Sequence, residues 1–129
     1  MKRRKILVVD DSTLLHRMYD FMLGGHDVVH AVDGVDALEK LAADPALELV
    51  FLDINMPRLD GLEVLKMIKA DPKTRGLPVI MVSTHGEEHD TKRALALGAD
   101  GYVRKPFRQD AIAQLIGTLS IAALTRAAE

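Results

Sequence analysis

The sequence feature that most limits the fold is a short apolar run, Leu49, Val50, Phe51 and Leu52, that ends in a carboxylate at Asp53. The run is too short for a helix. Its β-branched and aromatic content suits a strand buried on both faces, the kind found in parallel sheets. In an open parallel sheet, ligands and chemistry collect just beyond the carboxyl ends of the strands, which is where Asp53 falls if the strand ends with it. An ordinary aspartate leaving a strand for a turn has the same local pattern. The rest of the chain separates the two.

A second apolar run, Ile6 to Val9, also ends in acid, at Asp10 and Asp11. Ser12 is then a predicted N-cap for a helix with Leu14, Leu15, Met18, Phe21 and Met22 at helical spacing, stopped by Gly24 and Gly25. Val28 to Val32 reads as a weaker strand. Asp33 and Gly34 lead into a helix with Val35, Leu38, Leu41 and Ala42 on one face and Pro45 beyond its end. Past Asp53, Pro57 and Gly61 enforce a tight loop before a helix from Leu62 to Ala70, whose core side is marked by Leu62, Leu65, Met67 and Ile68. Leu77 to Val82 is a third apolar run, with Pro78 near its start, and it ends in the hydroxyls of Ser83 and Thr84. Glu87 to Leu97 reads as a helix closed by Gly98, and Tyr102-Val103 as a short strand ending at Arg104, Lys105 and Pro106. From Phe107 a final helix presents Ile112, Leu115, Ile116 and Leu119. Five β/α units joined by right-handed crossovers make one α/β domain, a doubly wound parallel sheet with helices on both faces.

Length and composition agree. The 129 residues fit one domain, and an apolar fraction of 48% supports a real core. A net charge of −2 with 28% charged residues gives no bias toward nucleic acid, and the basic run Lys2 to Lys5 reads as a solubilising lead-in to the first strand. The absence of cysteine rules out disulfides and thiolate metal sites and is compatible with a reducing cytoplasm. There is no apolar stretch long enough to span a bilayer and no signal-peptide pattern, so the expectation is a soluble cytoplasmic protein.

Four strand ends thus deliver Asp10 and Asp11, Asp53, Ser83 and Lys105 to one sheet edge. Three close carboxylates resist joint ionisation unless a cation joins them, and hard oxygen ligands suit Mg²⁺. A carboxylate also serves as a covalent nucleophile, so attack by Asp53 on a phosphoryl group gives an acyl phosphate, with the Lys105 ammonium balancing negative charge and the Ser83 hydroxyl bonding the new oxygens.

With these residues in place, the chain resembles the receiver domain of two-component response regulators, of the chemotaxis single-domain type. The likeness runs from about Lys5 to Leu119 and rests on Asp10-Asp11, on Asp53 before Met56-Pro57-x-x-Asp60-Gly61, on a hydroxyl residue after the fourth strand, and on Lys105-Pro106. The order and spacing of these pieces together carry it. The resemblance implies a flavodoxin-like sheet of strand order 2-1-3-4-5 in a single receiver domain over 1–129, with its core at about 5–119 and a C-terminal helix extension beyond. It implies Asp53 as phosphoacceptor, Asp11 as a direct Mg²⁺ ligand, Asp10 as a ligand through water, and the Asn55 backbone carbonyl completing the metal site. Lys105 pairs with the phosphoryl group, Ser83 is the switch hydroxyl and Tyr102 the aromatic that moves with it. Many relatives carry threonine at the switch and Thr84 is adjacent, but counting from Asp53 and Lys105 selects Ser83. Asn55 and His85, two residues beyond acceptor and switch, are expected to tune phosphate lifetime. The implied phosphodonor is a histidine kinase or a histidine phosphotransfer protein. Output runs by docking on the face of helix four, strand five and helix five, with Thr91 and Leu95 as contacts. The only catalysis implied is of the chain's own phosphorylation and dephosphorylation.

Two other functions remain open beside this phosphorelay switch. An aspartate-nucleophile phosphatase would place Asp-x-Asp after strand one, where this chain has Asp10-Asp11, and would turn over phosphate esters steadily. A pseudo-receiver would bind partners without accepting phosphate, against which the intact acids and Lys105 argue. His85-Gly86-Glu87-Glu88-His89 matches the H-x-x-E-H zinc peptidase pattern, but that site needs an unbroken helix, which Gly86 disfavours, and a third ligand.

Overall fold

The computed structural model describes residues 3–56, 59–83, 88–105, 110 and 112–117. Strands and helices alternate as β1 (Lys5–Val9), α1 (Thr13–Met22), β2 (Asp27–Ala31), α2 (Gly34–Ala43), β3 (Leu49–Asp53), α3 (Gly61–Ala70), β4 (Val79–Ser83), α4 (Glu88–Ala96) and β5 (Gly101–Arg104). A last helical segment covers residues 112–117. The strands form one parallel sheet in the order β2-β1-β3-β4-β5.

Successive side chains of a strand point to opposite faces, so a strand in mid-sheet needs apolar residues at every position. Leu7, Val9, Val50, Leu52, Val79 and Met81 meet Ala37, Leu41, Val64, Leu65 and Ile68 of α2 and α3, and Ala94 of α4, on one face. Ile6, Val8, Leu49, Phe51, Ile80 and Val82 face the other way, onto Tyr19 of α1, Leu23 at its end, and Ile112 and Ile116 of the last helical segment. Interrupting either layer with a polar residue would bury an unpaired group, which is why the first polar side chains after these runs fall at the carboxyl ends.

The turns that leave those ends start helices by side-chain capping. Ser12, Asp33 and Asp60 each accept a hydrogen bond from the backbone N–H three residues on, an interaction typically worth about 1 kcal/mol. Gly98, which closes α4, has φ +108°, a backbone conformation that a residue with a Cβ adopts only with strain.

The helix faces differ from those expected in four places. In α1 the buried residue is Tyr19, with Leu15 and Met22 partly buried beside it, while Leu14, Met18 and Phe21 lie on the neighbouring stripe and leave Leu14 66% and Phe21 79% exposed. The aromatic body of Tyr19 wins the core position because it stacks against Phe51, with ring centroids 5.6 Å apart. In α2 the inward face is Gly34, Ala37, Leu38 and Leu41, so Val35 and Ala42 turn outward. Met67 of α3 is exposed, and Val64 takes its place in the core. In α4, Thr91 and Ala94 share the buried side and Leu95 the open one, so Thr91 is not available as a surface contact.

Candidate functional site

The carboxyl ends of β1, β3 and β4 bring Asp10, Asp53 and Ser83 together as buried polar groups, and Lys105 follows β5. Asp10 is fixed from below by the Ser12 backbone N–H, which donates to its Oδ1 at 2.8 Å. Lys105 reaches between the acids, with Nζ 3.0 Å from Asp10 Oδ2 and 3.3 Å from Asp53 Oδ2. The position of Lys105 is set by the sheet, since its N–H donates to the Ser83 carbonyl at 2.7 Å. Asp11 is exposed at the rim, and one carboxylate oxygen from each of Asp10, Asp11 and Asp53 falls within a 4.8 Å cluster.

The loop beyond Asp53 doubles back on itself. The Ile54 N–H donates to Val82 at 3.1 Å and the Gly61 N–H to Ile54 at 2.9 Å, while Ile54 and Met56 bury their side chains. Asn55 is exposed, and its backbone N–H donates to the Asp53 carboxylate. Tyr102 lies on β5 with 48% of its surface exposed, paired in register with Met81. His85, Thr84, Pro57 and Pro106 fall outside the described residues, as do Gly86 and Glu87 of the zinc-peptidase pattern.

Burial pushes the Asp53 carboxyl up to about 6. Lys105 opposes that rise and the neighbouring Asp10 reinforces it. Burial also works against the Lys105 ammonium, but its contacts with Asp10 and Asp53 outweigh this and raise its pKa. Asp10 Oδ2 is buried, and the Lys105 ammonium 3.0 Å away, shared with Asp53, is the contact that offsets its charge. A partly compensated buried carboxylate oxygen, crowded by two further acids, fits a hard divalent cation held by oxygen ligands.

The raised carboxyl sets a pH dependence for the metal-free protein. An unfolded aspartate loses its proton near 3.8, whereas the folded Asp53 keeps it to about 6. Between these values the native state binds more protons, so stability falls as pH rises through that window, by on the order of 2–3 kcal/mol from this one group. Urea unfolding in chelator at pH 4 to 7 measures this, and Asp53→Asn should remove that part of the slope and gain most above pH 6. Parallel curves for the two proteins would contradict it.

One site residue was not anticipated from the sequence, and a second, Gly61, was anticipated only as part of a tight loop. Tyr19 is buried within electrostatic reach of the acids, and its hydroxyl pKa is driven well above its ordinary value by burial and then by the charges of Asp10 and Asp53. Its one-turn spacing from Leu15 and Leu23 was the available signal. Gly61 lies against the Asp53 backbone, where an added Cβ would fall 2.1 Å from the Asp53 carbonyl oxygen.

Comparison with known proteins gives the same picture. A family model described as the response regulator receiver domain matches residues 6–117. Chemotaxis protein CheY1 of Helicobacter pylori (strain J99) is 39% identical over 106 residues, which span 80% of this chain and 86% of that protein. The structure of chemotaxis protein CheY4 of Vibrio cholerae superposes with a TM-score of 0.83 at 28% identity, covering 91% of this chain and 98% of that one. NtrX of Brucella abortus superposes with a TM-score of 0.89 at 32% identity over 97% of this chain, which spans only 29% of that protein.

Proposed function

Since this chain belongs to the response regulator receiver family, we propose that it is a phosphorylation-activated switch in which Asp53 takes a phosphoryl group from a phosphohistidine of a histidine kinase or phosphotransfer protein. The observation that carries this reading is the single Lys105 ammonium in contact with both Asp10 and Asp53, at the edge where Asp11 also stands. An Asp53 oxygen attacks phosphorus and its P–O bond forms as the P–N bond to imidazole breaks. The second ring nitrogen of the phosphohistidine carries a proton, so the imidazole leaves as a neutral ring and an acyl phosphate remains on Asp53. Lys105 meets the negative charge of the transferring group, and the Ser83 hydroxyl donates to a phosphate oxygen. Asp11 and Asp53, with the Asn55 carbonyl, are the proposed direct ligands of Mg²⁺ and Asp10 the ligand through water; the ion, when bound, neutralises charge on carboxylates and phosphoryl oxygens. We assign the tuning of phosphate lifetime to Asn55 and His85, the positions two residues beyond the acceptor and the switch hydroxyl in the sequence.

The switch then reads out through the face built from α4, β5 and the final helix. Phosphate adds acceptor oxygens that recruit the Ser83 hydroxyl, which frees space for Tyr102 to turn inward from its exposed position. Leu95, exposed on α4, is a contact for the downstream protein. Because a modification only biases an existing equilibrium, partial partner binding without phosphate is expected. Ser83→Ala should cut the phosphorylation-dependent gain in partner affinity more than it cuts phosphorylation, as read by titrating the partner against both forms. An undiminished gain would remove Ser83 from the switch.

We place the chain as one domain with its core over about 5–119, working in the cytoplasm. Among the described residues no helix is long and apolar enough to cross a membrane. The test of function is incubation with acetyl phosphate. One hydroxylamine-sensitive phosphoryl group per chain, dependent on Mg²⁺, is expected. Steady hydrolysis of phosphate esters would favour a phosphatase, and no labelling under any condition would favour a pseudo-receiver.

A further inference from the structure

At the amino ends of the strands, opposite the acidic pocket, one buried histidine ties the chain entering β1 to the start of β2. His26, only 8% exposed, accepts the Arg4 backbone N–H at its Nδ1, 2.9 Å away. The roles in this contact are fixed, because a backbone amide nitrogen only donates. Nδ1 is therefore the lone-pair nitrogen of a neutral ring whose one hydrogen is on Nε2. The next rung repeats the tie through the backbone, with the Asp27 N–H donating to the Arg4 carbonyl at 2.8 Å. β2 is an edge strand that pairs with β1 alone, so these bonds close the first turn of its ladder.

Protonation removes the acceptor. An imidazolium carries hydrogens on both ring nitrogens, so its Nδ1–H would point at the Arg4 N–H and the bond between them would be lost. The charges around His26 are those of Arg4 and Arg3 ahead of β1, which oppose a third positive charge, and of Glu48 ahead of β3 and Asp27 on β2, which favour it. Both acids are already paired, Glu48 with Arg4 at 2.8 Å and Asp27 with Arg3 at 2.6 Å. On the remaining side, the end of α1 and the last helical segment present Phe21, Met22, Leu23, Ala113 and Ile116, which carry no charge. Burial, then Arg4 and then Arg3, hold the His26 pKa below its ordinary value of 6.5.

We propose that His26 is an acid-release latch: its neutral Nδ1 holds edge strand β2 to the chain entering β1, and protonation of that nitrogen releases the start of β2. The unfolded chain takes up this proton near pH 6.5, whereas the native ring resists it. The latch therefore contributes its full stability above that pH and loses it as pH falls from there through the lower native value. This direction is opposite to that of Asp53, whose burial makes the native state the better proton binder between 3.8 and about 6. The two ends of the sheet thus respond to acid with opposite signs, and only the end that holds the acidic pocket belongs to the proposed phosphoryl chemistry.

The experiment is a titration of the full chain in chelator from about pH 7.5 to about pH 5, followed by imidazole ¹⁵N and backbone amide spectra. At the start, His26 Nδ1 should be the bare nitrogen and Nε2 the protonated one. As the ring charges, the amide signals of Arg4 and Asp27 should move with the same midpoint, below the ordinary histidine value, and their hydrogen-exchange protection should fall by roughly tenfold. Urea unfolding over the same range, with Asp53→Asn present to remove the opposing slope, reads the loss of stability. His26→Asn places an oxygen where Nδ1 stands, keeps the acceptor and takes up no proton, so it should flatten the acid-dependent fall in the urea midpoint. Four outcomes overturn the latch: a hydrogen on Nδ1 at neutral pH, a His26 midpoint at or above the ordinary value, Arg4 and Asp27 amides indifferent to the ring's titration, or an acid slope in His26→Asn equal to that of the parent.

Discussion

Asp53→Asn is expected to take up no phosphoryl group from acetyl phosphate under conditions in which the native protein takes up one per chain. The amide nitrogen has its lone pair delocalised into the carbonyl and the amide oxygen carries no full charge, so the variant loses its nucleophile while keeping its shape. Intact-protein mass spectrometry reads the result directly. The same substitution separates loss of chemistry from loss of fold. Asp53 is 5% exposed and its carboxyl is pushed up by burial, so a neutral amide there relieves a cost of folding and the metal-free variant should unfold at higher urea near pH 7. Lys105 keeps its contact with Asp10. A variant that is more stable yet unlabelled assigns the reaction to Asp53; labelling equal to the native protein would move the acceptor elsewhere.

The pocket was legible because its residues sit where apolar runs stop. Two-sided burial leaves β1, β3 and β4 no room for polar side chains before Asp10, Asp53 and Ser83, and the parallel order then forces those ends to one edge. The strand order itself came through family resemblance, since periodicity says only that strands are buried and not which are neighbours. Helix faces were less legible. On α1, Leu14, Met18 and Phe21 keep helical spacing as faithfully as Leu15, Tyr19 and Met22, and only the stacking of Tyr19 on Phe51 decides which stripe turns inward. Thr91 illustrates the converse: expected beside Leu95 as a contact on the output face, it packs inside α4 beside Ala94. The contact between His16 Nδ1 of α1 and His30 Nδ1 of β2, at 2.5 Å, was invisible in the sequence because the two residues are fourteen apart and meet only once β2 lies beside β1.

Gly61→Ala is expected to be among the most damaging single substitutions in the chain, although helix propensity alone points the other way. Gly61 opens α3, and replacing glycine by alanine inside a helix ordinarily stabilises by about 1 kcal/mol. Here the added Cβ would stand 2.1 Å from the Asp53 carbonyl oxygen, 2.8 Å from Ile54 Cα and 2.9 Å from the Asp53 carbonyl carbon. All three are backbone atoms, so no side-chain rotation relieves them. Either α3 backs away, opening the core around Leu62 and Leu65, or the end of β3 moves and carries Asp53 with it. Overpacking of this kind costs about 1–3 kcal/mol or more, which exceeds the propensity gain. Displacing a reacting group by about 1 Å can cost on the order of a hundredfold in rate. Urea unfolding and the acetyl phosphate labelling rate should therefore both fall in Gly61→Ala. Gly25→Ala and Gly76→Ala, where a Cβ meets nothing within 4 Å, should leave the labelling rate unchanged. Native stability and native labelling in Gly61→Ala would mean that the loop after Asp53 does not fix the nucleophile.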